Sequence, residues 1–203
     1  MEQTDTAGRA WWAGGRRSRA VTLVIMGVTA IVILGTVYVV NRPTAGSKGF
    51  AEVILAGRAS GDPPLVGKPA PPISARTVDG RRVTLDGFRG RPVWLTFGAS
   101  WCQPCRAENP DIESVYEKHR SPNGPVVLAI FISEGAAAVR DYAKRVGLEY
   151  EKVADPDTRV ASRYRILGIP SHFFIDRRGV LRKSVVGSLN PPAMEAALAQ
   201  IAR

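Results

Sequence analysis

The two cysteines of this 203-residue chain, Cys102 and Cys105, stand three positions apart in a Cys-Gln-Pro-Cys sequence. This spacing serves either zinc binding or dithiol–disulfide exchange. A zinc site needs three or four protein ligands, and here only His119, His172 and scattered carboxylates remain to supply them. Exchange chemistry needs only the two sulfurs on a turn from a strand into a helix. The spacing therefore favours a redox disulfide that works without any bound cofactor.

The residues around the pair predict such a turn. Residues 92–98 form a short apolar run typical of a buried strand, and from Ile112 to His119 the side chains recur at the spacing of one helical face. A helix beginning near Cys102 places that sulfur beside unpaired backbone N–H groups, which favour the thiolate over the thiol. We therefore expect Cys102 to be the more exposed, attacking sulfur. Cys105, one turn further, would be more buried and would resolve the mixed disulfide.

The remaining pattern predicts an α/β domain. Asp79 and Gly80 between two strand-like runs, 73–78 and 82–85, indicate an N-terminal β-hairpin with a two-residue turn. The other predicted elements are strands at 126–133, 172–176 and 180–186 and helices at 136–146, 157–164 and 193–202. This order implies a mixed, partly parallel sheet with an antiparallel edge, flanked by helices.

An uncharged segment precedes this domain. As a helix, residues 20–40 would cover about 30 Å, the thickness of a bilayer's hydrocarbon core. A cleaved signal peptide is the alternative, although its apolar stretch is usually only about 7–15 residues long. Arg16, Arg17 and Arg19 precede the segment, so the positive-inside rule keeps the N-terminus cytoplasmic.

These features predict four regions along the chain. They are a cytoplasmic tail (1–19), a single transmembrane helix (20–40), an extracytoplasmic linker (41–64) and the folded domain (65–203). A short helical turn is expected within the linker, around residues 50–59. The domain would then lie outside the cytoplasm, at the cell membrane, where disulfides persist.

The net charge of +10 raises the alternative of nucleic-acid binding. Its basic residues are scattered as singles and pairs, and no basic run is interleaved with aromatic residues, as a strand-binding groove requires. We therefore expect a solvated basic surface and no nucleic-acid partner.

Three separated motifs resemble a known family. All three are similar to segments of the TlpA/ResA group. The first, at residues 66–71 (VGKPAP), is similar to the segment that begins the domain in that group, and the second, at 99–110 (ASWCQPCRAENP), to the segment that carries the redox pair. The third, at 164–176 (YRILGIPSHFFID), is similar to the segment that carries a cis-proline. That group consists of membrane-anchored, thioredoxin-like proteins, many of which reduce disulfides during cytochrome c maturation. The resemblance spans about residues 65–203. It implies a thioredoxin-like fold, a disulfide-containing client such as apocytochrome c, and a membrane thiol as electron donor.

The resemblance also assigns roles to residues. Cys102 and Cys105 match the redox pair. Pro170 matches the cis-proline, which would present the Ile169 backbone to an extended client segment near Cys102. Trp101 is expected either to cover the sulfurs at the client surface or to be an ordinary, partly exposed packing residue.

Two polar residues leave alternatives open. Glu108 matches an acidic residue that several relatives carry after the pair, where it would relay protons to Cys105; the alternative is a solvated carboxylate. His172 is either a surface residue of a strand or a copper ligand, in which case Cys102, Cys105 and His172 would form a metallochaperone-type site. A peroxidase on the same fold is a third alternative, but that chemistry uses a lone cysteine in a different motif.

Overall fold

The computed structural model describes residues 15–40, 49, 51–53, 55 and 63–202. The chain divides into two compact units, Met1–Gly46 and Ser47–Arg203. In the first unit, helix α1 (Gly15–Val40) contains the predicted apolar segment. Among the described residues, no helix combines the length and the apolarity needed to cross a membrane. Most of the predicted tail and linker lies outside the described residues.

The second unit contains every other described helix and strand. In chain order they are β1 (Ala51–Glu52), β2 (Ser74–Arg76), β3 (Arg82–Thr84), a 3-10 turn (Asp86–Phe88), β4 (Val93–Gly98), α2 (Gln103–His119), β5 (Val126–Ile132), α3 (Ala136–Val146), β6 (Glu151–Asp155), α4 (Arg159–Arg163), β7 (Gly168–Ile169), β8 (Ser171–Ile175), β9 (Leu181–Val186) and α5 (Pro191–Ile201).

A five-stranded mixed sheet in the order β6-β5-β4-β8-β9 forms the centre of this unit. Strands β4, β5 and β6 are parallel, whereas β8 and β9 are antiparallel to their neighbours. Side chains alternate between the faces, so the core has two parts. One part contains both cysteines with Leu95 and Phe97, and the other contains Trp94. This sheet confirms the predicted mixed α/β arrangement.

Strand β6 is an element that the sequence pattern did not predict. It is an edge strand, and only Val153 and Asp155 are buried in it. Glu151 and Lys152 are half-buried polar residues, so the segment lacks the apolar run that marks β4 and β5. An edge strand with one solvent-exposed face can pair with its neighbouring strand although few of its side chains are apolar.

The predicted hairpin is present, but its turn is longer than two residues. Strands β2 and β3 pair antiparallel, and the connection between them runs from Thr77 to Arg81. The backbone oxygen of Thr77 accepts from Gly80 N at 2.9 Å, and its hydroxyl accepts from Arg81 N at 3.1 Å. These local hydrogen bonds close a wider loop, so the two-residue prediction is wrong.

Chain segments near the start of the domain cover parts of both outer strands of the sheet. At one edge, Gly67 N donates to Leu181 O at 2.8 Å, and Pro69 forms a bridge with Val180. At the other, Val78 N donates to Lys152 O at 2.9 Å. Residues 67–78 therefore reach from β9 to β6.

A buried carboxylate, Asp176, organises the turn between β8 and β9. It accepts backbone N–H groups of Arg178 and Val180, both at 2.9 Å, and its other oxygen accepts from Arg182 at 2.7 and 2.8 Å. Burial by itself raises the pKa of Asp176, but these donors outweigh it and hold the pKa below its usual value. The ionised form therefore stabilises this end of the sheet.

Candidate redox site

The two cysteines lie at the N-terminus of α2, directly after the loop that follows β4. Cys102 is the N-cap residue, and its Sγ accepts a hydrogen bond from Cys105 N at 3.2 Å. The sulfurs form a disulfide with an S–S distance of 2.11 Å. The backbone thus places Cys102 Sγ at the positive end of the helix dipole, as predicted from the sequence.

Both cysteines are buried, which corrects the expectation that Cys102 is the more exposed of the two. Cys102 is 1% accessible and Cys105 is 3% accessible. Cys102 belongs to an apolar cluster that also contains Val53 and Ile169. The local pattern could not reveal this burial, because its causes come from residues distant in sequence.

Pro170 and Ile169 lie beside the disulfide. The Ile169–Pro170 peptide bond is cis, as the resemblance implies. The carbonyl oxygen of Ile169 lies 3.9 Å from Cys102 Sγ. The backbone just before the proline therefore adjoins the attacking sulfur.

A short strand from the N-terminal side of the domain pairs with this same backbone. In the antiparallel register, Ala51 faces Ile169 and Glu52 faces Gly168. One residue further, Val53 N donates to Leu167 O at 3.1 Å. Residues 51–53 of the predicted helical turn at 50–59 are therefore extended, and that prediction is wrong for them.

Glu134 supports the redox site, and the sequence reasoning missed it. It is nearly buried just after β5, and its Oε2 accepts from Ser100 N at 2.7 Å, while Oε1 contacts the Ser100 hydroxyl. This carboxylate fixes the loop that leads into Cys102. The available signal was its position after the carboxyl end of a buried parallel strand, where functional side chains gather.

Glu108 is buried, so the alternative of a solvated carboxylate is wrong. Its side chain is 1% accessible. Oε1 accepts from Leu189 N at 2.5 Å, and Oε2 has no hydrogen-bond partner among the described residues. A buried polar atom without a partner is rare, and such atoms concentrate at functional sites.

His172 is also fully buried, so it is not a surface residue of its strand. Its Nδ1 lies 3.3 Å from Trp94 Nε1, and its Nε2 lies 3.4 Å from Glu108 Oε1. An indole N–H can only donate, so Nδ1 must accept and neutral His172 carries its proton on Nε2. That proton faces Glu108, although the contact lacks hydrogen-bond geometry.

A small cavity connects Glu108 to the redox pair. Its volume is about 10 Å³, and its lining includes Cys105, Glu108, Asn109 and Pro170. This volume is close to the minimum that one water molecule occupies. Glu108 and Cys105 also lie one helical turn apart, so their side chains are neighbours. Proton exchange between them is therefore geometrically feasible.

A hydrogen-bonded network behind Glu108 holds α2 in place. Tyr150 donates to Asn109 Oδ1 at 3.1 Å, and Asn109 Nδ2 donates to Tyr142 at 2.8 Å. Burial, with smaller contributions from nearby carboxylates that include Glu108, holds the pKa of Tyr150 well above its usual value. The phenol therefore remains a donor at neutral pH.

The structure does not favour a copper site at His172. Within the part of the chain that is described, no group of three metal-ligating side chains occurs. One ring nitrogen of His172 faces Trp94 and the other faces Glu108. The disulfide occupies both sulfurs that such a site would use.

Trp101 and Leu167 provide exposed apolar surface close to the disulfide in sequence. Trp101 is 51% accessible and Leu167 is 76% accessible. Trp101 precedes Cys102, and Leu167 lies two residues before Ile169. Half of the Trp101 surface is in solvent, which suits contact with a client protein.

Comparison with known proteins finds relatives with this arrangement. The sequence profile of the AhpC/TSA family matches residues 66–184. The chain is 27% identical to the thiol-disulfide oxidoreductase ResA of Bacillus cereus, over 67% of this chain and 78% of that protein. It is 32% identical to ResA of Geobacillus thermodenitrificans, over 61% of this chain and 71% of that protein.

A solved structure agrees with these sequence matches. A thiol:disulfide interchange protein of the thioredoxin family from Chlorobium tepidum superposes with a TM-score of 0.61 at 27% identity. The match covers 71% of this chain and all of that one. The mixed sheet and flanking helices are therefore a thioredoxin-like fold.

Proposed function

Because this chain belongs to the AhpC/TSA family and is a ResA-like thiol-disulfide oxidoreductase, we propose that it reduces disulfides of client proteins outside the cytoplasm. The observation that carries this proposal is the Cys102–Cys105 disulfide at the N-terminus of α2, beside the Ile169 backbone. The proposed client is the oxidised haem-attachment cysteine pair of an apocytochrome c.

The reaction is a two-electron exchange. In the reduced protein, the Cys102 thiolate attacks one sulfur of the client disulfide, which forms a mixed disulfide and releases one client thiolate. The Cys105 thiol then loses its proton, and its thiolate attacks Cys102 Sγ. This step restores the Cys102–Cys105 disulfide and releases the second client thiolate. A membrane dithiol donor supplies two electrons to begin the next cycle.

Glu108 is the proposed acceptor of the Cys105 proton. The small cavity that both residues line has room for about one bridging water molecule. Oε1 is held by Leu189 N and faces His172, which leaves Oε2 to exchange the proton. His172 acts on Glu108 only, so it is a positioning residue rather than a catalytic one.

The segment of residues 20–40 is the proposed membrane anchor, a proposal that rests on its sequence. Residues 20–40 contain no charged side chain. The described apolar side chains of α1 are exposed, among them Ile31, Leu34 and Leu23. Contiguous exposed apolar surface of this kind marks contact with a membrane or a partner. Two results would support the anchor. The full chain should resist alkaline extraction from cell membranes, and protease added outside the cell should cleave the domain. Release into the soluble fraction would contradict it.

The direction of transfer is tested by the reduction potential. We expect a value near that of thioredoxin, about −270 mV, and not near that of a disulfide-forming catalyst, about −120 mV. The assay equilibrates the full chain with glutathione buffers and measures the fraction of free Cys102 and Cys105 thiols. A value at the oxidising end would overturn the reductive function.

The client class is tested with an oxidised Cys-x-x-Cys-His peptide. We expect the reduced protein to convert it to the dithiol and the Cys105→Ala variant to retain it as a mixed disulfide on Cys102. The control peptide places the same two cysteines without the histidine. Equal rates with both peptides would remove the argument for an apocytochrome client while leaving the general reductase function intact.

A further inference from the structure

We infer that residues 51–53 and 55 occupy the client-docking edge of the redox site, and that an extended client segment must displace them. This edge is the backbone of β7, next to Cys102. The inference rests on the proposed function, because it assigns the position at which that function's client binds. We call residues 51–53 and 55 the strap.

The backbone pairing shows what the strap covers. Val53 N donates to Leu167 O, so Val53 and Leu167 form a hydrogen-bonded pair. Hydrogen-bonded and non-hydrogen-bonded pairs alternate along an antiparallel ladder. The pair Ala51–Ile169 lies two positions from Val53–Leu167, so it is also a hydrogen-bonded pair. The N–H and C=O of Ile169 therefore face the strap, and a client strand cannot use them while the strap is bound.

The side chains of the strap alternate as in an amphipathic strand, with the apolar ones facing the redox site. Val53 is buried in the apolar cluster that contains both cysteines, and Ala51 and Leu55 pack against that cluster. Glu52, between them, is exposed. Three inward residues at alternate positions are the pattern of a strand with one dry face.

The burial of Cys102 explains why displacement is required. A sulfur that attacks a protein disulfide must approach it in line, yet Cys102 is 1% accessible in the same cluster as Val53. Of the strands around Cys102, β1 can be displaced with the least loss of pairing. Among the described strands β7 is its only partner, and the paired stretch is two residues long. The central strands β4 and β8 also border the site, but each pairs on both sides.

The strap also indicates the chemistry of the client segment. An occupant of this edge pairs antiparallel with Gly168 and Ile169 and places apolar side chains at alternate positions, as Ala51, Val53 and Leu55 do. Strap and client compete for the same groups, so the apparent affinity for the client falls in proportion to the fraction of molecules with an open strap.

The test compares two proline variants of the full chain. Val53→Pro removes the N–H that donates to Leu167 O, and its matched control, Glu52→Pro, removes an N–H of the alternate, non-hydrogen-bonded pair. We expect Val53→Pro to raise the rate constant for reducing a disulfide peptide about tenfold, which corresponds to about 1.4 kcal/mol. Glu52→Pro should react at the wild-type rate, and the reduction potential should be equal in all three proteins.

A second measurement does not depend on any change in the strap. In the Cys105→Ala protein, hydrogen exchange of residues 51–55 is compared before and after a peptide is trapped on Cys102. We expect the Val53 amide to lose protection when the peptide is bound. Unchanged protection, or equal acceleration by both proline variants, overturns the inference. Failure of the wild-type protein to reduce any disulfide would instead refute the proposed function.

Discussion

Replacement of Glu108 separates a proton-transfer role from a structural one. Glu108→Gln keeps the shape of the side chain and an oxygen that accepts from Leu189 N, so we expect the free energy of unfolding to change by less than about 1 kcal/mol. Glu108→Ala leaves the buried Leu189 N–H without an acceptor, which costs about 1–3 kcal/mol. The atoms removed leave a void that adds to this loss. The two variants should therefore differ clearly in stability.

Their effect on catalysis should be the same. Neither side chain can accept the Cys105 proton, and a positioned acid–base group contributes typically about 100-fold or more to a rate. We therefore expect the resolving attack of Cys105 on the mixed disulfide to slow about 100-fold in both variants. The rate is measured by acid quenching of a preformed mixed disulfide at intervals, between pH 5 and pH 9. The rise of the rate with pH should be displaced towards alkaline pH in both.

The outcome that would refute this reasoning is specific. A structural role predicts that the rate follows stability, with Glu108→Ala slow and Glu108→Gln close to wild type. A wild-type rate in Glu108→Gln would remove Glu108 from the proton route. The control is the attack of Cys102 on the client, which precedes proton loss from Cys105 and should be unchanged in both variants.

Three further predictions concern the site and its support. Cys105→Ala should accumulate a mixed disulfide with the client on non-reducing gels, whereas Cys102→Ala should form none. His172→Phe should slow the resolving step about tenfold, whereas His172→Gln, which retains a donor towards Glu108, should stay within about threefold of wild type; equal slowing by both would indicate a packing effect. Asp176→Asn should lower the free energy of unfolding at pH 7 by about 1–3 kcal/mol. This loss should begin to shrink as the pH falls below about 4, the usual carboxyl pKa, and should decrease further as the pH approaches the lowered pKa of the folded state. Urea unfolding at pH 7 and pH 3 measures it, and a pH-independent loss would contradict the assignment.

The elements next to the cysteines were predictable because their signals are local. An apolar run such as Val93–Gly98 predicts a buried strand, and Gly147 predicts the end of α3, where it adopts a positive φ of 71°. The same reasoning missed β6, whose polar residues reflect its place at the sheet edge. The local spacing of apolar residues shows which sides of a strand or helix are buried, but it does not show where that element lies in the sheet.

The candidate site was predicted in its chemistry but not in its surroundings. The spacing of Cys102 and Cys105 and the helix start predicted near Cys102 indicated a redox pair. Burial of Cys102, the contact of His172 with Glu108 and the pairing of Val53 depend on chain segments that meet only in the fold. In the proposed function, these features decide which client reaches the sulfur and where the proton goes.

The segment at residues 67–78, which reaches both outer strands of the sheet, has a consequence for self-association. Exposed sheet edges template pairing with other chains and thereby promote aggregation. Here Gly67 and Pro69 cover the start of β9, and Val78 covers part of β6. Arg182 and Lys183 add charge along β9, which further disfavours edge-to-edge contact. The proposed client edge at β7 is distinct from these partly covered outer edges, and we expect the domain to stay monomeric at concentrations at which an unprotected sheet would aggregate.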